Sequence, residues 1–337
     1  MWIRNNPQYY DGTFHQLAVI RNLEKRYFIS GARKVVDTWS TTKKQNMNLH
    51  FWNILENRSN MSFVKQFEHN SQGRDFVVGD IHGCYDQLLT LMHHIKFDKS
   101  KDRLFSCGDI IDRGRDSLDC AYLIFEPWFH MVLGNHEQFM IESLLSQDDW
   151  MKYQATRSWM HSGGMWQSML SDVDQTELLT ITKEIAKSPL MIVVGKDTEH
   201  RFNIVHGELP PVHCNPNITD EQIDQWTLCQ GGDHQSLTWG RNNISMYKHT
   251  ELHPFNQSKD LSITFCGHNV VKNKPIVIGR QMYIDQGAGF GPVGTNMTIV
   301  EPKEKIAFMY NFQDENIYQL PFSCFENYTS TFGDSDE

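Results

Sequence analysis

None of the seven cysteines stands in a CxxC pair, and their number is odd. A disulfide framework and a zinc ribbon are therefore excluded, and a reducing, cytoplasmic setting is expected. Long apolar runs are missing too. No stretch approaches the roughly 18 consecutive apolar residues of a membrane span, and the opening MWIRNNPQYYDGTF has no apolar segment of a secretory leader. A soluble, unexported protein with no membrane partner is the expectation. Nor is there an excess of positive charge: 31 Lys and Arg against 41 Asp and Glu leave −10 over 337 residues, which argues against nucleic acid as a partner. Internal repeats and low-complexity tracts are absent. What the chain does have is 39% hydrophobic and 12% aromatic residues, enough for a sizeable core and too much for an intrinsically disordered chain.

The charge is unevenly spread. Residues 1–74 carry 11 Lys and Arg against 5 Asp and Glu, so the remainder stands at −16. In this basic part Leu17, Ile20, Leu23 and Tyr27, and again Leu49, Trp52 and Leu55, recur at spacings of three and four, which predicts helices. The polar stretch Glu68–Gly73 reads as a linker. Beyond it, short apolar runs alternate with amphipathic segments at 83–95, 136–146 and 174–187, the rhythm of an α/β architecture. The expected organisation is a basic helical extension over 1–74, an α/β domain over 75–322 and an acidic, loose tail over 323–337. Three readings of the extension stand side by side: a helical pair docked on the domain, a regulatory or substrate-selecting element, and, least favoured, a nucleic-acid binder.

Five times in the α/β part an apolar run stops at a glycine beside a residue able to bind metal. The endings are DFVVGD at Asp80, LFSCGD at Asp109, MVLGN at Asn135, NIVHG at His206 and ITFCGH at His268. Side chains just past the carboxyl ends of strands converge on one crevice in open α/β sheets. One such ending is an ordinary turn; five of them read as a site. With His82, the donors Asp80, His82, Asp109, Asn135, His206 and His268 offer oxygen and imidazole and no thiolate, which suits Mn²⁺, Fe or catalytic Zn²⁺. Six donors exceed what one catalytic ion with open positions needs. Shared between two ions about 3.5–4 Å apart, with one bridging carboxylate, they leave room for water and an anionic ester, and phosphate monoester hydrolysis draws most on such a pair. GDIIDRG (108–114) adds Asp112 and Arg113, and GNHE (134–137) adds His136. A guanidinium fork suits the equatorial oxygens of a phosphoryl group. His136 is suited to protonate the departing oxygen, with Asp112 orienting it.

These residues resemble the metal-dependent phosphoprotein phosphatases of the calcineurin-like metallophosphoesterase superfamily, whose signature runs GDxHG, GDxxDRG, GNHE and two isolated histidines. Here the series is GDIHG (79–83), GDIIDRG, GNHE, His206 and His268. The likeness is closest to the small bacterial and bacteriophage branch of lambda type, through GDIHGCY (79–85), PWF (127–129), GNHEQ (134–138) and QMYID (281–285), and runs from about Arg74 to about Val300. It implies a sandwich of two mixed β-sheets flanked by helices. Asp80, His82 and Asp109 would bind one metal, and Asp109, Asn135, His206 and His268 the second, with Mn²⁺ the first choice. His136 would be the general acid paired with Asp112, and Arg113 a phosphate-binding residue. Arg241, in LTWGR (237–241), would be the second phosphate-binding arginine. The implied reaction is direct attack by a metal-bound hydroxide on phosphoserine or phosphothreonine, with phosphotyrosine as an alternative, in phosphorylated proteins or peptides. Departures fall at Gln286, where the family commonly has Thr between Asp and Gly, and at Met165 after Gly164.

Blander readings cover the other features. Of sixteen histidines only four enter the site, and His206 and His268 do so only because of the companion motifs. Cys84, Cys107 and Cys266 read as small buried hydrophobes rather than redox sensors. Two other functions compete with the phosphatase. A symmetrical dinucleoside tetraphosphate hydrolase shares GDxHGCY, but that branch usually has ARG for DRG and ends its third motif in Asp; Asp112 and Glu137 favour the phosphatase. A catalytically silent binding protein is disfavoured because every ligand and the acid histidine are retained.

Overall fold

The computed structural model describes residues 63–210, 218–225, 234–250, 258–291, 295–325 and 327. They form the expected sandwich of two mixed β-sheets flanked by helices. One six-stranded sheet has the order β1 (Val64–Phe67), β5 (Met191–Val194), β6 (Phe202–Val205), β7 (Thr264–Cys266), β9 (Gln281–Tyr283), β8 (Ile276–Ile278). The other runs β12 (Ile317–Pro321), β11 (Ile306–Asn311), β10 (Asn296–Glu301), β2 (Asp75–Val78), β3 (Arg103–Ser106), β4 (Phe129–Met131). Within the sheets, β2, β3 and β4 are parallel neighbours, as are β6, β7 and β9. Each trio therefore delivers its carboxyl ends to one side.

Alternation along the strands builds two apolar layers, as the period of two requires. Val77, Phe105, Ile192, Ile204, Phe265 and Met282 face into the space between the sheets. Their neighbours Phe76, Val78 and Leu104 belong to a separate cluster with Leu88, Leu91 and Met92 of helix α1 (Tyr85–His94). Strands covered on both faces read as unbroken apolar runs, and MIVV of β5 is buried throughout. After α1 come α2 (Ser117–Tyr122), α3 (Asn135–Leu145), α4 (Asp149–His161), α5 (Asp172–Ile185), α6 (Asp220–Asp224) and α7 (His234–Trp239), so the three amphipathic segments of the sequence are α1, α3 and α5.

Two boundaries need correction. The helical extension was expected to reach residue 74, but Val64–Phe67 is a strand in parallel register with Met191–Val194. Helical spacing upstream carried the expectation past a short strand too brief to show a period of its own. Glu68–Gly73 is consequently a connection within the sandwich, fastened by Asn70, whose Nδ2 donates to the Lys101 carbonyl. Residues 1–62, with the predicted helical spacings, lie outside the described residues. At the other end the loose tail does not begin at 323, because Phe325 is buried with Phe322 between the sheets. No helix among the described residues is long and apolar enough to cross a membrane.

Candidate active site

All five glycine-marked endings meet at one edge of the sandwich, three from the β2–β3–β4 trio and two from β6 and β7. Close approach explains the glycines. A Cβ on Gly134 would fall 2.2 Å from Oδ1 of Asp109, and one on Gly267 would fall 2.2 Å from Oδ1 of Asp80. The turns are also strained: His82, Asp109, Asp112, Arg113 and His268 all have positive φ, between 46° and 75°. Non-glycine residues in that region carry a cost that surrounding structure must hold in place. Glu137 supplies part of that hold. Its carboxylate, at the third position of α3, accepts the backbone N–H groups of Asp109 (2.8 Å), Ile110 (2.9 Å) and Gly134 (3.0 Å), tying the helix start to the turn after β3.

The imidazoles are oriented by their second nitrogens. His206 Nδ1 donates to the Cys107 carbonyl at 2.7 Å and His82 Nδ1 to the Ile111 carbonyl at 2.9 Å. In each neutral ring the lone pair is then on Nε2. His206 Nε2 faces Asn135 Oδ1 at 2.9 Å and Asp109 Oδ2 at 3.3 Å. His82 Nε2 stands 3.8 Å from Oδ2 of both Asp80 and Asp109. Nε2 of His268 is buried with no hydrogen-bond partner among the described residues. Lone pairs turned toward one another in a dry site are what a cation relieves. Two compact triads result, His82–Asp109–His136 and Asp109–His206–His268, and Asp109 belongs to both. The residues thus fit a pair of metal ions sharing one carboxylate. His136 enters the first triad, its Nε2 being 3.8 Å from Asp109 Oδ2, whereas Asp80 accepts the His268 N–H at 3.1 Å through each of its oxygens.

Electrostatics follow the same geometry. Burial, with Asp285 and Asp109 nearby, pushes the Asp80 carboxyl well above the usual range. Burial acts on Asp109 too, but the imidazoles of His206 and His136 beside it outweigh it and hold that carboxyl well below. Burial drives His268 down to about 2. Around His136 burial opposes the charged ring, yet Asp109 and Asp112 prevail and raise its pKa. Burial keeps the Cys84 thiol at about 11 and those of Cys107 and Cys266 well above their ordinary value, so all three are uncharged packing residues.

Beside the triads, His136 Nδ1 donates to Asp112 Oδ2 at 2.6 Å. Exposed Arg113 reaches over them, one guanidinium nitrogen on His82 Nε2 and the other 3.2 Å from His136 Nε2. Its guanidinium also lies 4.1 Å from the centre of the Phe290 ring, which explains why so large an aromatic is left 58% exposed. Arg241, also exposed, precedes helix α8 (Asn242–Thr250); its charge reaches His268 and disfavours protonation there.

Several contributors escaped sequence reading. Asp285 is a sixth ending, after β9, buried where its charge reaches Asp80; the run QMYID with Gly287 beyond it carried the same signal as the other five. Trp159 and Trp166 both donate their indole N–H to Asp112, at 2.8 Å to Oδ1, and no spacing announces them. The departure at Met165 therefore adjoins a buried buttress of Asp112.

The pattern of the calcineurin-like phosphoesterase family matches residues 76–272. Serine/threonine-protein phosphatase 2 of Salmonella typhimurium is 28% identical over 213 residues, 63% of this chain and 87% of that protein. The protein of the same name from Escherichia coli is 37% identical over 213 residues, again 63% of this chain and 87% of its own. A shorter likeness, 36% over 72 residues, covers 21% of this chain and 27% of a symmetrical bis(5'-nucleosyl)-tetraphosphatase of Actinobacillus pleuropneumoniae. Because the family match spans more than half of the chain and every one of the five strand endings, this protein belongs to the calcineurin-like phosphoesterase family.

Proposed function

We propose that the chain is a dinuclear-metal phosphoprotein phosphatase of the lambda-type branch, hydrolysing phosphoserine and phosphothreonine esters. The observation that carries this reading is Asp109 shared by two ligand triads, with the His136–Asp112 pair 2.6 Å apart beside it. Asp80, His82 and Asp109 would hold one ion, and Asp109, Asn135, His206 and His268 the other. Bound there, divalent ions, Mn²⁺ as first choice, supply positive charge to the phosphoryl oxygens and lower the pKa of water. Arg113 and Arg241 bind the equatorial oxygens as the phosphoryl group passes to water. His136 delivers a proton to the departing serine or threonine oxygen, and Asp112 keeps that ring charged and aimed. The sixth buried ending, Asp285, adds negative charge that the ions offset.

A second reading, the symmetrical dinucleoside tetraphosphate hydrolase, draws on the shorter likeness above. Asp112 speaks against it: an alanine there would strip the acceptor from His136 and from two buried indoles. The test is metal-stripped protein reloaded with Mn²⁺, Fe²⁺ or Zn²⁺ and offered phosphoserine, phosphothreonine and phosphotyrosine peptides beside diadenosine tetraphosphate. Faster phosphate release from the peptides is expected; faster cleavage of the nucleotide would replace the proposal with the second reading.

A further inference from the structure

Arg241 is exposed, yet the chain is fastened at every residue from 239 to 243, Arg241 itself through its carbonyl, which accepts the Ser245 N–H at 3.0 Å. Trp239 Nε1 donates to Gln138 Oε1 at 2.8 Å, and its ring stands edge-on to His268 with centres 6.0 Å apart. The Gly240 carbonyl accepts from Asn269 Nδ2 at 2.7 Å. The backbone N–H groups of Asn242 and Asn243, which open α8, both donate to the Glu208 carboxylate, at 2.6 Å and 3.0 Å. Gln138, Asn269 and Glu208 follow Asn135, His268 and His206 by three residues or fewer. The loop bearing Arg241 is thus referenced to three of the strand endings that build the site.

Glu208 is the costly member of this clamp. It is fully buried, and none of the ion pairs among the described residues includes it; its other donors are the Tyr283 hydroxyl, 3.3 Å from Oε2, and the Ile244 backbone N–H. A carboxylate buried without a cation is expensive unless backbone donors hold it. Even the neighbouring glycine is shaped to it, since a Cβ on Gly240 would fall 2.3 Å from Glu208 Cγ. Contact with the loop is therefore as close as packing permits.

We propose that Glu208 is a positioning residue for Arg241: it fixes the first turn of α8 and so the place from which the guanidinium reaches phosphate. This rests on the reading of Arg241 as a phosphate-binding residue. A shift of the order of 1 Å in such a clamp costs about 10²-fold, and partners acting as a unit lose less together than the sum of their separate losses.

The experiment is a double-mutant cycle on the full chain with Mn²⁺ and a phosphoserine peptide, reading kcat, KM and inhibition by inorganic phosphate. Arg241→Ala alone should cut kcat/KM by about 10²-fold or more and weaken phosphate inhibition. Glu208→Ala should lose about 10–100-fold in the same parameters. In the Arg241→Ala background it should cost less than about threefold, which is the non-additivity the coupling requires. Glu208→Gln, which keeps one acceptor oxygen and the volume, should recover most of the loss and serves if the alanine variant does not fold. Equal losses from Glu208→Ala in both backgrounds, or no recovery of activity in Glu208→Gln, would overturn the positioning role while leaving Arg241 in place. An Arg241→Ala enzyme with unchanged kinetics would overturn the reading of Arg241 and this proposal with it.

Discussion

His136 Nδ1 and Asp112 Oδ2 are 2.6 Å apart in a buried pocket, and the same carboxylate accepts two indole N–H groups. Nε2 of the ring is thereby turned toward the triads and the exposed Arg113. For a general acid, loss should depend on how much help the leaving group needs. His136→Asn is expected to lower kcat on phosphoserine peptides by about 10²–10⁴-fold with metal content unchanged. On p-nitrophenyl phosphate, whose phenolate leaves without a proton, the loss should be much smaller. Equal losses on both substrates, or metal lost from the variant, would mean that the ring serves as a ligand, as its place in the first triad allows.

Trp159 and Trp166 hold the orienting carboxylate. Replacing either with Phe removes a donor to a charged, buried acceptor, worth about 1.5–3 kcal/mol. Each variant should unfold at lower denaturant and turn over more slowly, and the double variant should lose less than the sum, because both act through Asp112. Additive losses would show that each tryptophan contributes by packing alone.

Glu142, on the buried face of α3, has one side-chain donor, Gln138 Nε2 at 2.9 Å. Burial pushes its carboxyl up to about 7 from 4.5. The folded value lies above the unfolded one, so the stability it contributes is fully present below about pH 4.5 and is lost as pH rises through about 7. Above that the charge costs up to about 3 kcal/mol. Glu142→Gln should therefore raise the melting temperature at pH 8 and change it little at pH 5, followed by circular dichroism. A gain of the same size at both pH values would place the effect elsewhere.

Much of the site was legible because its signal is local. An apolar run, a glycine and a donor repeat five times, and close approach requires the glycines: carboxylates stand at the Cβ positions of Gly134 and Gly267, and backbone at those of Gly79, Gly108 and Gly207. The sandwich was legible through its resemblance, while alternation alone said only α/β. Trp159, Trp166 and Glu208 were not legible, since their side-chain hydrogen bonds join residues 34 to 75 positions apart and no period links them. Val64–Phe67 was missed because a four-residue edge strand is defined by its partner, Met191–Val194, rather than by its own pattern.

Asp109 belongs to both ligand triads and is expected to be shared by two metal ions. Elemental analysis of metal-stripped protein equilibrated with Mn²⁺ and freed of excess ion tests it directly, in wild type and in Asp109→Asn. About two ions per chain are expected in the wild type, and fewer than about one in the variant, with turnover on phosphopeptides lost alongside. A wild-type chain that binds a single ion, or a variant that keeps its full complement, would contradict the account.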